Sequence, residues 1–328
     1  MNLWEIYRKD IPDFLRLLAQ TDAMQRLGDV GMNCGCEYTS FDRFSGLQPY
    51  SRLDHSMGVA LIVWHFTADK AQSAAGLLHD IATPVFAHTV DFLNGDHLKQ
   101  ESTERATEKM ILADLQLRKI LQENGIEAEQ VADYHQYPIA DNDAPGLAAD
   151  RLEYTLGNGV NYGFITHQQA KLLYEDLVVA ENEKHQPELM FTSRERALEF
   201  AVLALYCSKV YVSDEDRYAM QALAQLLKDA LDTGILTEKD LYTRETPVIE
   251  KLKASCLAPH WQQFCTCRQL MYSDKPKNGD GWYQIPAKKR YIDPYIRDTG
   301  RVTTLELAFA AEMAAFLEQP QTVWLKGV

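Results

Sequence analysis

The 328-residue sequence lacks features that define several protein classes. It has no C-x-x-C pair, so we expect its six cysteines to be free thiols in a reducing compartment. A zinc site built from Cys256, Cys265 and Cys267 is the less favoured alternative. No stretch reaches the roughly 20 apolar residues of a membrane span, and the acidic N-terminus does not resemble a signal peptide. The sequence therefore predicts a cytoplasmic protein with no membrane partner.

Positive charge is also scarce. Lys and Arg total 33 against 47 Asp and Glu, for a net charge of −14. Broad nucleic-acid binding needs a positive surface that neutralises phosphates, so we expect no nucleic-acid partner. A small anionic substrate stays compatible, because a metal and a few cations can reverse the potential inside one cleft. A homo-oligomer is left open.

Helical patterns dominate what is present, and they predict a mainly α fold. We expect helices at 11–20, 56–66, 68–80, 102–123, 147–158, 167–181, 194–212, 214–232 and 304–317, with Gly157 or Gly159 ending the helix over 147–158. Residues 28–50 are interpreted as a loop with room for a short hairpin, and residues 273–296 as loops with one or two short strands. The predicted organisation is a core over residues 1–180 and a helical C-terminal extension over residues 181–328 packed on it.

Four side chains with metal-binding chemistry stand in or beside segments that otherwise predict buried core: His55, His79, Asp80 and Asp150. A buried ionised carboxylate is costly unless it is paired or binds a metal. Two imidazoles and two carboxylates can share one cation, so we predict one divalent transition metal per chain. This mixed donor set suits Mn, Fe, Co, Ni or Zn better than Mg. In the alternative interpretation, His79 and Asp80 cap a helix and His55 is a core histidine.

The order His, then His-Asp, then a distant Asp resembles the HD superfamily of metal phosphohydrolases, from about residue 25 to residue 160. Nearest is the deoxynucleoside triphosphate triphosphohydrolase-like branch. Its pattern R-x-x-H-S-x-G-V is matched by Arg52, His55, Ser56, Gly58 and Val59. Its pattern G-L-x-H-D with P-F-x-H is matched by Gly76, Leu77, His79, Asp80, Phe86 and His88, with Pro84 displaced by one. Its pattern D-x-x-D-Y is matched by Asp150, Glu153 and Tyr154. The segment KKRYIDPYI near the C-terminus also resembles tails of HD proteins. The resemblance implies an HD-domain helical bundle with additional C-terminal helices and a few short strands.

The same resemblance implies a metal-dependent phosphohydrolase that uses metal-activated water to cleave a phosphoester of a nucleotide or related small molecule. Arg52 and Arg151 are expected to bind phosphate. Tyr154 lies one helical turn after Asp150 and is expected to contact phosphate or sugar. His135, just before the turn that leads to Asp150, is a further candidate for the substrate-binding set.

His88 is the expected group for proton transfer, with Glu104 acting as a base or orienting His88. His97 is a further candidate. The sequence departs from the triphosphohydrolase branch at Thr83 and Thr103, where that branch carries histidines. The alternative to an enzyme is therefore a catalytically impaired HD domain that binds metal and nucleotide as a sensor or scaffold.

Overall fold

The computed structural model describes residues 3–95, 106–275 and 281–328, and within them helices dominate. The expected mainly helical fold is confirmed. The α-helices are α1 (Trp4–Tyr7), α2 (Asp13–Ala19), α3 (Asp22–Gln25), α4 (Arg52–Thr67), α5 (Lys70–Leu78), α6 (Thr89–Leu93), α7 (Thr107–Ala113), α8 (Leu115–Glu123), α9 (Ala149–Asn161), α10 (His167–Glu175), α11 (Arg194–Tyr211), α12 (Asp214–Asp232), α13 (Glu245–Lys253), α14 (Ala258–Thr266), α15 (Val302–Leu305) and α16 (Leu307–Glu318). Among the described residues, none of these helices combines the length and the apolarity required to span a membrane.

The strands are short and form two small sheets. They are β1 (Leu177–Glu181), β2 (Pro187–Phe191), β3 (Leu270–Ser273), β4 (Tyr295–Ile296), β5 (Gly300–Arg301) and β6 (Trp324–Gly327). One sheet has the order β1-β2-β4-β5, and the other pairs β3 with β6 in antiparallel orientation. In the first sheet, β2 and β4 are parallel and the other two pairs are antiparallel.

Helices α4 and α5 form the centre of the fold. Ser51 begins α4 with a capping box, because its hydroxyl accepts from the Asp54 amide and the Asp54 carboxylate accepts from the Ser51 amide. At Gly76, an added Cβ would lie 3.2 Å from Val59 Cγ1, so glycine allows α5 to pack closely on α4. This packing places the start of α4 beside the end of α5.

Helix α9 runs past both glycines that were expected to end it. A Cβ at Gly159 would lie 2.8 Å from Leu203 Cδ1, and one at Gly157 would collide with the Tyr50 hydroxyl. The two glycines therefore allow neighbouring side chains to approach the helix. The helix ends at Asn161, shortly before Gly163, which adopts a φ of +73°.

Two predicted helices are wrong in part. The segment predicted as 167–181 is helical only to Glu175, and Leu177–Glu181 forms β1, whose β-branched Val178 and Val179 suit a strand. The segment predicted as 102–123 is broken at Asp114, whose carboxylate accepts from the amides of Gln116 and Leu117 and begins α8; its first four residues lie outside the described ranges.

Other differences lie in the loops and the C-terminal third. Residues 28–50 contain short 3₁₀ turns and one isolated bridge between Gly31 and Ser51, so the optional hairpin does not form there. Helices α13 and α14 and strand β6 were not predicted. In the segment 273–296, only β4 and the last residue of β3 are in strands among the described residues.

Two hydrophobic clusters form the interior, and both use residues from either side of residue 180. The larger cluster joins Leu61 of α4 to Phe309 of α16, and the smaller joins Phe86 to Leu223 of α12. The division into a core and an extension stays a prediction. The shared clusters explain how the C-terminal helices are held against the first half of the chain.

Candidate metal centre

The structure brings the four predicted metal ligands together at three helix ends. His55 lies in the first turn of α4, His79 and Asp80 directly follow α5, and Asp150 lies in the first turn of α9. His55 Nε2 is 3.0 Å from Asp150 Oδ1, and His79 Nε2 is 3.7 Å from the same oxygen and 3.6 Å from Asp80 Oδ2. His55, His79 and Asp80 each offer one donor atom within 4.8 Å of the others, and Asp150 is outside this group although its Oδ1 contacts both imidazoles.

Hydrogen bonds orient both imidazoles. His79 Nδ1 lies 2.8 Å from the carbonyl oxygen of Gly76, which can only accept, so Nδ1 carries the proton. His55 Nδ1 lies 2.6 Å from Glu153 Oε2. Each Nε2 atom is therefore directed toward the carboxylates, and a histidine that binds a metal through Nε2 usually donates its other N–H in this way.

The electrostatics also fit a cation. Burial favours neutral Asp80 and Asp150, but Arg52 and His79 hold the pKa of Asp80, and His55 that of Asp150, well below the ordinary range. Burial alone would lower the pKa of His55, but hydrogen bonds to Asp150 and Glu153 raise it to about 10. Protonated His55 is thus the cation that the ionised carboxylates hold. A divalent metal at the two Nε2 atoms would replace the proton on His55.

Glu153 contacts His55 at the site, and the sequence assigned it no role. It is 0% exposed, and its carboxylate accepts from the Tyr50 hydroxyl and lies 3.5 Å from the Tyr7 hydroxyl. These contacts hold the carboxylate that orients His55. The available signal was its place in the D-x-x-D-Y-like pattern, three residues after Asp150 and so on the same face of α9.

Arg52 and Thr83 both contact Asp80. Arg52 Nη1 lies 3.0 Å from Asp80 Oδ2, and its buried Nε has no partner among the described residues. The Thr83 hydroxyl donates to Asp80 Oδ1 at 2.6 Å. The threonine that stands at a histidine position of the triphosphohydrolase branch therefore orients a predicted metal ligand.

The four predicted ligands open onto a cleft of about 710 Å³. His88 lines the same cleft. Its Nδ1 lies 2.9 Å from the buried Asp91 carboxylate, and its Nε2 lies 3.4 Å from Arg290 Nη2. Burial lowers the pKa of His88, and the positive charges of Arg290 and Arg52 add to this effect, while Asp91 opposes it. The structure thus presents a neutral imidazole whose Nε2 accepts on the cleft side.

Arg290 was not among the predicted site residues, although the KKRYIDPYI segment was noted. Lys288, Arg290 and Tyr291 bring that segment to the cleft wall. A basic segment about 200 residues from His88 becomes part of the site only through the tertiary fold.

Other predicted residues reach the cleft with different partners. The Arg151 guanidinium donates to the Asn142 side chain at 2.6 Å and to the Gly146 carbonyl at 3.0 Å, so it holds the turn before α9. His135 is half exposed, with its Nδ1 2.9 Å from Asp133 Oδ1. Tyr154 packs on Tyr211 with ring centroids 6.2 Å apart, and burial raises its pKa to about 12.

Three candidates lie outside the described residues: His97, Thr103 and Glu104. The cysteines are free thiols, and Cys256 is exposed while Cys265 is partly buried and Cys267 is buried. Within the described part of the chain, the group of potential ligands that can hold a metal is His55, His79 and Asp80, and no cysteine joins it.

The chain is similar to known proteins in sequence and in fold. No family model matches the chain. It is 27% identical over 208 residues to the uncharacterized protein YdhJ of Bacillus subtilis, a match that covers 62% of each chain. It is 25% identical over 250 residues to the metal-dependent phosphohydrolase cns2 of Cordyceps militaris, covering 73% of this chain and 68% of that one.

Solved structures share the fold. A hypothetical protein from Aquifex aeolicus superposes with a TM-score of 0.64 at 17% identity, covering 97% of this chain and 93% of that one. A phosphohydrolase from Bacteroides thetaiotaomicron superposes with a TM-score of 0.65 at 14% identity, covering 97% and 96%. The chain therefore has an HD-like, mainly helical fold, and it is similar in sequence to a metal-dependent phosphohydrolase.

Proposed function

We propose that this protein is an HD-type metal-dependent phosphohydrolase that cleaves a phosphoester of a nucleotide or a related phosphorylated small molecule. The observation that carries the proposal is a set of two oriented Nε2 atoms and two ionised carboxylates at the wall of a cleft of about 710 Å³. Mn, Fe, Co, Ni or Zn fits these donors. When bound, the metal would lower the pKa of a water and polarise the phosphoryl group.

The residues around the ligands would bind and orient the phosphate. Arg52 and Arg290 line the cleft near His88, and a guanidinium makes strong charge-assisted hydrogen bonds to phosphate oxygens. Arg52 would contact phosphate with the edge that does not bind Asp80. Arg151 would act through the turn that it holds, and Tyr154 would contact the substrate with its hydroxyl.

His88 would transfer the proton from the attacking water to the departing alcohol. Asp91 fixes the proton on Nδ1, so Nε2 is the atom that exchanges protons on the cleft side. In hydrolysis, the water oxygen bonds to phosphorus and the bond from phosphorus to the ester oxygen breaks. The proton lost by the water passes to His88 Nε2 and then to the departing alcohol, and the products are the alcohol and phosphate.

A catalytically impaired domain that binds metal and nucleotide is the second candidate, and Thr83 favours it. A threonine cannot donate a proton at neutral pH as an imidazolium can, and its hydroxyl is already bonded to Asp80. Losing general acid catalysis typically costs about 10²–10⁴-fold. We therefore expect little triphosphate release from deoxynucleoside triphosphates and faster hydrolysis of a smaller phosphoester.

A metal and substrate screen tests the proposed function. Purified protein is loaded in turn with Mn, Fe, Co, Ni, Zn and Mg and incubated with deoxynucleoside triphosphates, nucleoside monophosphates and simple phosphoesters. Released phosphate and triphosphate are separated by chromatography, with the Asp80→Asn variant as the control. Metal binding without hydrolysis of any phosphoester would favour the sensor. Rapid triphosphate release would contradict the expected preference for a smaller substrate.

The proposed partner is a small phosphorylated substrate. The expected cytoplasmic location, the expected absence of nucleic-acid and membrane partners, and the oligomeric state stay predictions.

A further inference from the structure

The segment between Asp80 and His88 connects a predicted metal ligand to the proposed proton-transfer group. Directly before His88, the backbone of Phe86 and of Ala87 has φ values of +59° and +45°. Residues other than glycine rarely adopt this left-handed conformation, because their Cβ atom crowds the backbone. Two such residues in succession persist only where the surrounding structure holds them in place.

Glu245 in α13 makes the side-chain contact that holds this backbone. Its Oε1 accepts from the Phe86 amide at 3.0 Å, and the same oxygen accepts from the Gly31 amide at 3.0 Å. The Tyr38 hydroxyl donates to its Oε2 at 2.7 Å. Glu245 is 1% exposed, so water does not compete for these bonds. One buried carboxyl group thus joins the backbone before His88 to the loop that precedes α4.

The first part of the segment is held by a different side chain. Arg26 Nη2 donates to the carbonyl oxygens of Ile81 and Thr83 at 2.6 Å and 2.8 Å. Asp80 therefore keeps its position through the Arg26 contacts. Loss of the Glu245 contact should affect the end of the segment and leave the predicted ligand in place.

His88 lies between one partner that moves with it and one that does not. Asp91 is on the same short helix, α6, whereas Arg290 belongs to a distant part of the chain. The Thr89 hydroxyl donates to the Cys34 carbonyl oxygen at 2.7 Å and keeps α6 docked. A change in the backbone before α6 should therefore shift His88 relative to Arg290 without unfolding the helix.

We propose that Glu245 is a positioning residue that fixes His88 in the cleft through the backbone of Phe86. It acts by accepting hydrogen bonds, and it exchanges no proton with the substrate. The proposal rests on the proposed function for the role of His88 in proton transfer. The left-handed conformation of Phe86 and Ala87 is the feature that Glu245 stabilises.

Two substitutions separate the hydrogen bonds of Glu245 from its charge. Glu245→Gln removes the charge but keeps an oxygen that can accept from both amides. Glu245→Asp keeps the charge, but its side chain is one carbon shorter and cannot reach both amides. The proposal predicts that Glu245→Gln is close to the wild-type protein and that Glu245→Asp is impaired. A role of the charge alone predicts the reverse.

NMR titration of the His88 ring measures its position. Burial and the charge of Arg290 lower the pKa of His88, so in Glu245→Asp the displaced ring should titrate closer to the ordinary value of about 6.5. In Mn-loaded protein acting on phenyl phosphate, kcat should fall about 10–100-fold, because a small displacement of a catalytic group has an effect of that size. KM should stay within about threefold, since the phosphate contacts remain. Metal content should not change.

A second variant tests the same contact with less disturbance of the fold. Tyr38→Phe keeps the ring that packs on Phe86 with centroids 6.0 Å apart, and it removes only the hydroxyl that donates to Glu245. It should shift the pKa of His88 in the same direction by less. This variant decides the question if circular dichroism shows that Glu245→Asp does not fold.

Ala87→Gly, added to Glu245→Asp, is a rescue test. Glycine adopts a positive φ without a steric penalty, so the double variant should recover at least about threefold of the lost kcat. Thr246→Val is the matched control, since it removes another hydrogen bond of α13, to Asp29 Oδ1 at 2.8 Å. It should keep the wild-type kcat and the wild-type pKa of His88.

A wild-type pKa of His88 in both Glu245→Asp and Tyr38→Phe would overturn the proposal. Equal impairment of Glu245→Gln and Glu245→Asp, or no recovery on adding Ala87→Gly, would also overturn it. A wild-type protein that hydrolyses no phosphoester, in which the pKa of His88 still responds as expected, would refute the proposed function and keep the positioning role of Glu245.

Discussion

The two ends of the cleft differ in how their polar atoms are paired. At the metal end, Asp80 is bonded to Arg52 and Thr83, and His55 is bonded to Asp150 and Glu153. At the other wall, Asn158 and Asp216 each keep an oxygen without a partner among the described residues. The polar atoms of the metal end are thus paired within the protein, whereas these two buried oxygens are not paired among the described residues.

The difference follows from charge. An ionised carboxylate that is buried without a partner is far more costly than a neutral acceptor, so Asp80 and Asp150 must be paired at all times. The Asn158 amide is neutral, and burial raises the pKa of Asp216 toward the neutral form. These groups can therefore remain unpartnered at a smaller cost.

The largest effect is expected from a substitution that removes one of the predicted metal ligands. Asp80→Asn keeps the shape of the side chain but removes a charged ligand and the partner of buried Arg52. We expect loss of the metal and of all metal-dependent hydrolysis, together with lower stability, because removing one partner of a buried ion pair costs about 3–5 kcal/mol. Elemental analysis and a phosphate-release assay measure the two outcomes.

Cys265→Ala is the control for that experiment, since Cys265 is a partly buried free thiol outside the group of potential ligands. It should keep the metal and the activity. Full metal occupancy in Asp80→Asn, or metal loss in Cys265→Ala, would show that the ligand assignment is wrong.

The second effect concerns the Glu153 carboxylate, which orients His55. Glu153→Gln leaves the predicted ligands unchanged but weakens the hydrogen bond that orients His55. Loss of such a partner typically lowers metal affinity about 10–100-fold, and we expect a decrease of that size in competition with a chromophoric chelator. Glu188→Gln is a matched control, because Glu188 is equally buried but pairs with Arg301. Equal metal affinities in the two variants would contradict the role of Glu153.

The third effect separates phosphate binding from metal binding. Arg290→Met should raise the KM for a phosphoester about tenfold or more, since a hydrogen bond to a charged group contributes about 1.5–3 kcal/mol, and should leave the metal content unchanged. It should also raise the pKa of His88, because Arg290 is one of the positive charges that lower it. NMR titration of His88 measures the second outcome.

Lys289→Met serves as the control for Arg290→Met. The Lys289 ammonium donates to the carbonyl oxygens of Leu317 and Gln319, so its loss should affect stability more than KM. A pKa of His88 that moves equally in both variants would mean that the contact with Arg290 has no specific effect.

The smallest effect is expected from Glu37 and Glu245, two carboxyl groups that are not among the predicted site residues. Glu245 accepts from the amides of Gly31 and Phe86, whereas Glu37 Oε2 is buried without a partner among the described residues. Burial raises the pKa of Glu37 from 4.5 to about 8, and the charge of Glu245 adds to this. The folded protein therefore binds this proton more tightly than the unfolded chain, and its stability should fall as the pH rises from about 4.5 through 8.

Glu37→Gln removes this titration. Relative to that variant, the wild-type protein should lose about 2–3 kcal/mol of unfolding free energy between pH 6 and pH 9. Urea unfolding at the two pH values measures the difference. A constant difference between the two proteins would show that Glu37 is ionised throughout that range.

Local sequence predicts some parts of the fold well and others poorly. Helices α11 and α12 were expected at 194–212 and 214–232 and lie at Arg194–Tyr211 and Asp214–Asp232, because long segments preceded by a serine cap carry strong local signals. The apolar run at Leu177–Val179 is compatible with a helix or a strand, and pairing with β2 decides for the strand. The nine-residue helices α13 and α14 are too short to show a clear period.

The sequence alone determined the order of the predicted metal ligands and predicted their chemistry, since His55, His79, Asp80 and Asp150 stand where apolar surroundings make charge costly without a cation. Only the tertiary structure decided what surrounds them. Arg290 meets His88, and Asp216 joins Asn158 at the cleft, across separations in the chain that no local pattern bridges. The physical reason is that helix periodicity and caps act over a few residues, whereas a cleft forms where distant helices pack.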